Sequence, residues 1–290
     1  MSATLRTPWW MAGAALCAAA FLIVYLGFVQ TASGQLIDVA LREVTGRHWH
    51  PLPELDPENR WIAVWIMAPP AGALAALTIP QRDWLTAGIA VATVVASNIT
   101  TQVVKHGWLE RPELIDGAGS SNALPSGHTT MAAASAVAVF LAAGSRWRPA
   151  AGVLAAVWGA GWGAYIYLES WHRPSDMIAA YLVVAGWGLV GGWLILRLRV
   201  PDRPAPAHPR PHAPELMCAV IGVLLCGAAL VGLYAGGGWS GLELTLDGAS
   251  SGWHWVAGTA LSAGPAWLLA AAGISLFRYE EARLSPRPVR

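Results

Sequence analysis

Charge is what this sequence lacks most. Only 12% of its 290 residues are Asp, Glu, Lys or Arg, about half the share usual in a globular chain. With so few charges a water-facing surface is hard to build, which argues against a soluble protein. The net charge of +1 supplies no basic field of the kind that attracts nucleic acid, so no nucleic-acid partner is expected. There are three cysteines, Cys17, Cys218 and Cys226, all inside apolar stretches. They form no metal-ligand spacing and at most one pair, which excludes a disulfide framework. What is abundant is apolar: 55% of residues are hydrophobic, the mean hydropathy is +0.46, and glycine occurs 31 times. Small residues of this kind let helices approach closely in lipid.

Eight apolar runs are close to the roughly 20 residues that cross a hydrocarbon core of about 30 Å. They fall at roughly 9–29, 61–80, 84–104, 127–144, 149–168, 176–196, 216–235 and 253–277. The first is long for a signal-peptide core and is read as an anchor. Acidic and basic residues are missing from all eight except Asp176, at the start of the sixth. An ionisable residue there calls for a functional explanation. The expected fold is an all-α polytopic transmembrane bundle. Residues 1–198 make a six-span core, 199–215 a Pro/Arg-rich cytoplasmic linker, and 216–290 a two-span C-terminal hairpin and tail. Between the first two runs, Gln35–Trp49 has the pattern of a short amphipathic surface helix.

Basic residues favour the cytoplasmic side. With the N terminus inside, twelve fall in internal segments: Arg6, Arg82, Arg146, Arg148, Arg197, Arg199, Arg203, Arg210, Arg278, Arg283, Arg287 and Arg290. Six fall outside: Arg42, Arg47, Arg60, Lys105, Arg111 and Arg173. The expectation is a multi-pass protein of the cell membrane with both termini cytoplasmic.

The same orientation puts two polar loops on the outer face. One runs from Lys105 through Arg111-Pro112 to Pro125-Ser126-Gly127-His128, and the other from Ser170 through His172-Arg173-Pro174-Ser175 to Asp176. Lys105 and Arg111 are cations suited to a phosphate, Arg through a bidentate fork. Ser126 can cap the helix that follows, and a helix N-terminus carrying Gly127 is an anion site. His172 and Asp176, four apart, allow a carboxylate to fix the imidazole tautomer and leave the second nitrogen to attack. Two histidines, two cations and one carboxylate suit phosphoryl transfer, and no metal ligand set or cofactor is expected.

These residues resemble the type 2 phosphatidic acid phosphatase superfamily of membrane lipid phosphatases. Its K-x6-R-P signature is met by Lys105, Arg111 and Pro112, and its P-S-G-H signature by Pro125 to His128. Its third signature, S-R-x5-H-x3-D, is met only by His172 and Asp176. Tyr165 and Ile166 stand where serine and arginine are expected, so one phosphate-gripping arginine is missing, and Arg173 is the candidate replacement. The resemblance implies metal-independent hydrolysis of a lipid phosphate or diphosphate, such as a polyprenyl (undecaprenyl-type) diphosphate, at the extracytoplasmic face of the cell envelope. His172 would become phosphohistidine, Asp176 would orient it, and His128 would protonate the leaving oxygen. Lys105, Arg111, Ser126, Gly127 and Arg173 would hold the phosphate. The partners implied are the lipid substrate and membrane lipids. Two alternatives stay open: a phosphotransferase of the same family, and a non-catalytic membrane protein that binds lipid phosphate through a decayed site.

Overall fold

The computed structural model describes residues 7–45, 61–198, 212–236 and 252–284. Among these residues the chain is helical, with no strand. The helices are α1 (Thr7–Val24), α2 (Ala32–Thr45), α3 (Trp61–Thr78), α4 (Trp84–Val103), α5 (Gly127–Ala142), α6 (Arg148–Leu168), α7 (Pro174–Leu198), α8 (Ala213–Ala235) and α9 (Gly252–Leu284). A π-helical turn extends α1 through Tyr25–Val29, and another extends α4 through Val104–Trp108. Seven helices, including α1 and α4 with their extensions, are long and apolar enough to cross a membrane. The expected polytopic helical bundle is what forms.

The run expected at 127–144 gives only a 16-residue helix, α5, about 24 Å long at 1.5 Å per residue. Its short length fits its place. It packs against α3, α4, α6 and α7, and most of its side chains, from Thr129 to Ala142, are buried in protein. The outer helices do the reverse: Leu16, Ile23, Ile99, Leu154 and Leu224 each stand more than half exposed. Apolar surface on this scale is stable against lipid tails and costly against water.

Local chemistry sets the helix ends. Asp83 caps α4 by accepting from the Thr86 N–H at 3.3 Å, Pro149 opens α6, and Pro174 is the first residue of α7. Each proline stands where a helix has no use for its missing N–H. Helices α8 and α9 pack on each other, and α9 also lies along α6 and α7. The α6–α9 approach depends on Gly258, where a β-carbon would sit 1.9 Å from the Tyr167 hydroxyl. Helix α8 begins at Ala213, so residues 213–215 of the expected linker form its first turn, fixed by a 2.9 Å ion pair between Glu215 and Arg278. The rest of the linker, 199–211, lies outside the described residues, as do Arg47, His48, Trp49 and Arg60. The amphipathic helix forms at Ala32–Thr45, and it is docked on the protein, touching α6, α7 and α9.

Candidate active site

The site lies at one end of the bundle, where α4 gives way to its loop, α5 begins and α6 turns into α7. The helix-N-terminal carboxylate organises it. Asp176 Oδ2 receives two hydrogen bonds, one from His172 Nδ1 at 3.0 Å and one from the Arg173 N–H at 3.1 Å. Asp176 is 1% exposed, so its charge acts at low dielectric. With Nδ1 committed to the carboxylate, the free lone pair of His172 is on Nε2, the geometry a nucleophile needs.

Backbone bonding joins the second loop to the first. The Ser126 N–H donates to the Asp176 carbonyl at 3.0 Å. Ser126 Oγ caps α5, accepting from the Thr129 N–H at 3.3 Å and the Thr129 hydroxyl at 2.9 Å. The expected cap is present: the Ser126 hydroxyl is engaged within α5, while its N–H ties α5 to α7. The anion-binding capacity of the α5 N-terminus therefore rests on the next N–H groups, those of Gly127 and His128. The His128 ring packs on Trp171 with centroids 5.6 Å apart and lies within electrostatic reach of His172 and Lys105.

The two arginines are the most informative residues. Arg111 is 4% exposed and Arg173 is 7% exposed. Arg173 turns inward, donating through Nη2 to the Ala118 carbonyl at 2.8 Å, while its buried Nε has no partner among the described residues. Arg111 is emptier still, with Nε and Nη2 both buried and unpartnered among the described residues. Burial first, and then the neighbouring Arg173 charge, loosens the hold of Arg111 on its proton. Two adjacent buried cations with idle N–H groups are unfavourable unless an anion completes them. Arg173, the candidate replacement for the missing arginine, thus turns inward beside Arg111, whereas Ile166 is fully buried in an apolar cluster with Leu41, Tyr167 and Met177.

Five residues outside the three motifs also shape the site. Gln30 Nε2 and the Tyr25 hydroxyl donate to the Glu110 carbonyl at 2.8 and 2.9 Å. Gln35 Nε2 donates to the Pro112 carbonyl at 2.6 Å, and its Oε1 accepts from the Leu114 N–H at 3.2 Å. Together they clamp the backbone on both sides of Arg111. Asp38, fully buried, accepts from the Ser175 N–H at 3.3 Å and from the Ser175 hydroxyl. Burial, and then the Asp176 charge, pushes the Asp38 carboxyl up to about 7. Arg42 Nε donates to the Ser170 carbonyl at 2.9 Å. The signal for the last three was present: Gln35, Asp38, Arg42 and Thr45 recur at helical spacing and form one polar stripe on α2. Such a stripe reads as the water-facing side of an amphipathic helix, but here it is turned toward the protein.

Residues 86–201 match the family model of the PAP2 superfamily. No curated protein and no solved structure matches the chain. The matched segment holds Lys105, Arg111, Ser126, Gly127, His128, His172, Arg173 and Asp176 together in one bundle of apolar helices. This chain is therefore a membrane phosphatase-like protein whose residues 86–201 match the PAP2 superfamily.

Proposed function

We propose that the protein is a lipid phosphatase that works through a phosphohistidine intermediate at the extracytoplasmic face. The observation that carries this reading is the pair of buried, incompletely bonded guanidiniums of Arg111 and Arg173 beside the His172–Asp176 pair. His172 Nε2 attacks phosphorus, and the bond from phosphorus to the lipid oxygen breaks. His128 gives that oxygen its proton, so the alcohol or lipid monophosphate leaves neutralised. Water then attacks the phosphohistidine, His128 takes a proton from it, and inorganic phosphate is released with His172 regenerated. Arg111, Arg173, Lys105 and the N–H groups of Gly127 and His128 neutralise the transferred group. Positioning and charge neutralisation are what phosphoryl transfer chiefly requires.

A lipid as leaving group is supported by the aromatic path that starts at His128. Trp171 contacts Tyr165 at 5.8 Å, Tyr165 contacts Trp162 at 5.7 Å, and Trp162 contacts Trp158 at 6.2 Å between ring centroids. Trp158, Trp162 and Tyr165 line an open groove of about 300 Å³ with Val157 and Gly161, all on α6, the helix that leads to the site. Removing one such ring is worth about 0.5–1.5 kcal/mol beyond its buried area. Trp162→Ala should therefore raise KM for a long-chain lipid phosphate by about three- to tenfold, with little change for a water-soluble phosphate ester. Equal effects on both substrates would remove the tail from this path.

The outward orientation is supported by the basic-residue asymmetry, because Arg42, Lys105, Arg111 and Arg173, four of the six external cations, gather around this site. Phosphate release from phosphatidic acid or a polyprenyl diphosphate in detergent micelles tests the activity. Among the described residues no group of three or more His, Cys, Asp or Glu is placed to hold a metal ion, and the cations above neutralise the phosphate. Release should accordingly continue in EDTA. Loss on chelation that magnesium restores would contradict this mechanism, and release only in step with consumption of an alcohol acceptor would make the protein a transferase.

A further inference from the structure

We propose that Arg42, on α2 and outside the matched family segment, is a fourth cation of the site and contacts the outer oxygens of the substrate's phosphate. The inference rests on the phosphatase reading above and extends it to a helix that the motifs do not include.

Helix α2 is seated by bonds to both halves of the site. Gln35 ties it to the loop after Arg111, and Asp38 ties it to Ser175, next to Asp176. Its far end meets the turn before His172. There Thr45 Oγ1 contacts the Ser170 hydroxyl, and the Tyr167 hydroxyl donates to the Leu41 carbonyl at 2.7 Å. Ser170 has a φ of 59°, a left-handed conformation that costs a non-glycine residue about 1–2 kcal/mol. A turn of that kind persists when its surroundings fix it. The α2 contacts supply that support, and they place Arg42 against Ser170, two residues before the nucleophile in sequence.

Arg42 itself is exposed, at the rim. Its Nε bonds the Ser170 carbonyl, and its Nη pair has no partner among the described residues. The guanidinium interacts electrostatically with Arg173, Asp176 and Glu43, and with Arg111 in turn. An arginine anchored at Nε with a free Nη fork, within electrostatic reach of two buried cations, is arranged to take an oxyanion that those cations already attract. Leu41 of α2 lies in the apolar cluster that encloses Ile166, so the same packing that buries Ile166 seats the turn of α2 that carries Arg42.

The test uses the full-length protein in detergent micelles, with phosphatidic acid as substrate and inorganic phosphate as competitive inhibitor. Arg42→Ala should raise the inhibition constant for inorganic phosphate, and lower kcat/KM, by about tenfold each, the scale of one charge-assisted hydrogen bond. The unfolding temperature should stay near the parent's, because the residue is exposed. Arg42→Lys should restore part of the phosphate affinity, since the charge returns without the fork. If Arg42 only supports the Ser170 turn, Arg42→Ala would slow turnover and leave phosphate inhibition unchanged, and that result overturns the proposal. So does weakened phosphate inhibition in Arg42→Ala that lysine fails to restore at all. A parent that neither releases phosphate nor is inhibited by it sinks the phosphatase reading and this inference together, whereas an active parent matched by Arg42→Ala sinks this inference alone.

Discussion

His172→Ala is expected to lower phosphate release by about three to five orders of magnitude, the range seen when a nucleophile is removed and the surrounding charges remain. Everything else in the site acts on the group that His172 attacks, so no neighbour can substitute. Asp176 has no second imidazole within a helical turn to orient, and His128 is held against Trp171. The variant should still bind inorganic phosphate, because Arg111, Arg173 and the α5 N-terminus are untouched. It should also still fold, since His172 contributes one side-chain bond to a helix start that Arg173 N–H and Ser126 N–H also secure. Turnover within tenfold of the parent would remove His172 from the chemistry. Loss of both activity and folding would make its role structural.

Arg111→Met should separate function from stability. The arginine brings two idle N–H groups to the transferred phosphate, and each charged hydrogen bond is worth about 1.5–3 kcal/mol. Losing both lowers kcat/KM by about two to four decades at roughly 1.4 kcal/mol per decade. The resting protein, in contrast, gains by the change. Arg111 is buried beside Arg173 with unpartnered nitrogens, and replacing an unpaired buried charge by an apolar side chain of similar length removes a desolvation cost. The unfolding temperature without ligand should therefore hold or rise while activity collapses, the usual relation at a site built for an absent anion. Added inorganic phosphate should raise the parent's unfolding temperature and leave that of Arg111→Met almost unmoved. A variant that is both active and less stable would show that Arg111 is a structural residue.

The membrane helices were legible because their signal is simple: length and the absence of charge. All eight apolar runs form helices, and each begins within three residues of the expected start, as at Trp61, Trp84 and Arg148. The exception in kind is α5, where the apolar run continues through Ala143 and Gly144 but the helix stops at Ala142. Hydropathy records what tolerates lipid, and α5 is enclosed by other helices instead. The site was legible to the extent that its residues lie close together in sequence. The His172–Asp176 pair follows from helical spacing alone. Bonds between distant segments left no such trace: Ser126 N–H to the Asp176 carbonyl spans fifty residues, and Gln35 to Pro112 spans 77. The polar stripe of α2 was visible, yet a stripe that faces a buried site and one that faces water have the same period. Which of the two applies depends on what the helix docks against. At Ile166, counting positions marked a missing arginine, but only packing reveals that the position faces Leu41 and Met177, where an added guanidinium would be buried without a partner.

The central claim is that phosphate passes through His172. Its most direct test is to mix purified protein with a lipid phosphate, quench within the first turnover under alkaline conditions that preserve phosphohistidine, and map the modified peptide by mass spectrometry. A phosphoryl group on His172, absent from His172→Ala and lost on further incubation as inorganic phosphate appears, is the result expected. Phosphate released at full rate with no phosphoryl group on His172, or one on another residue, would contradict it.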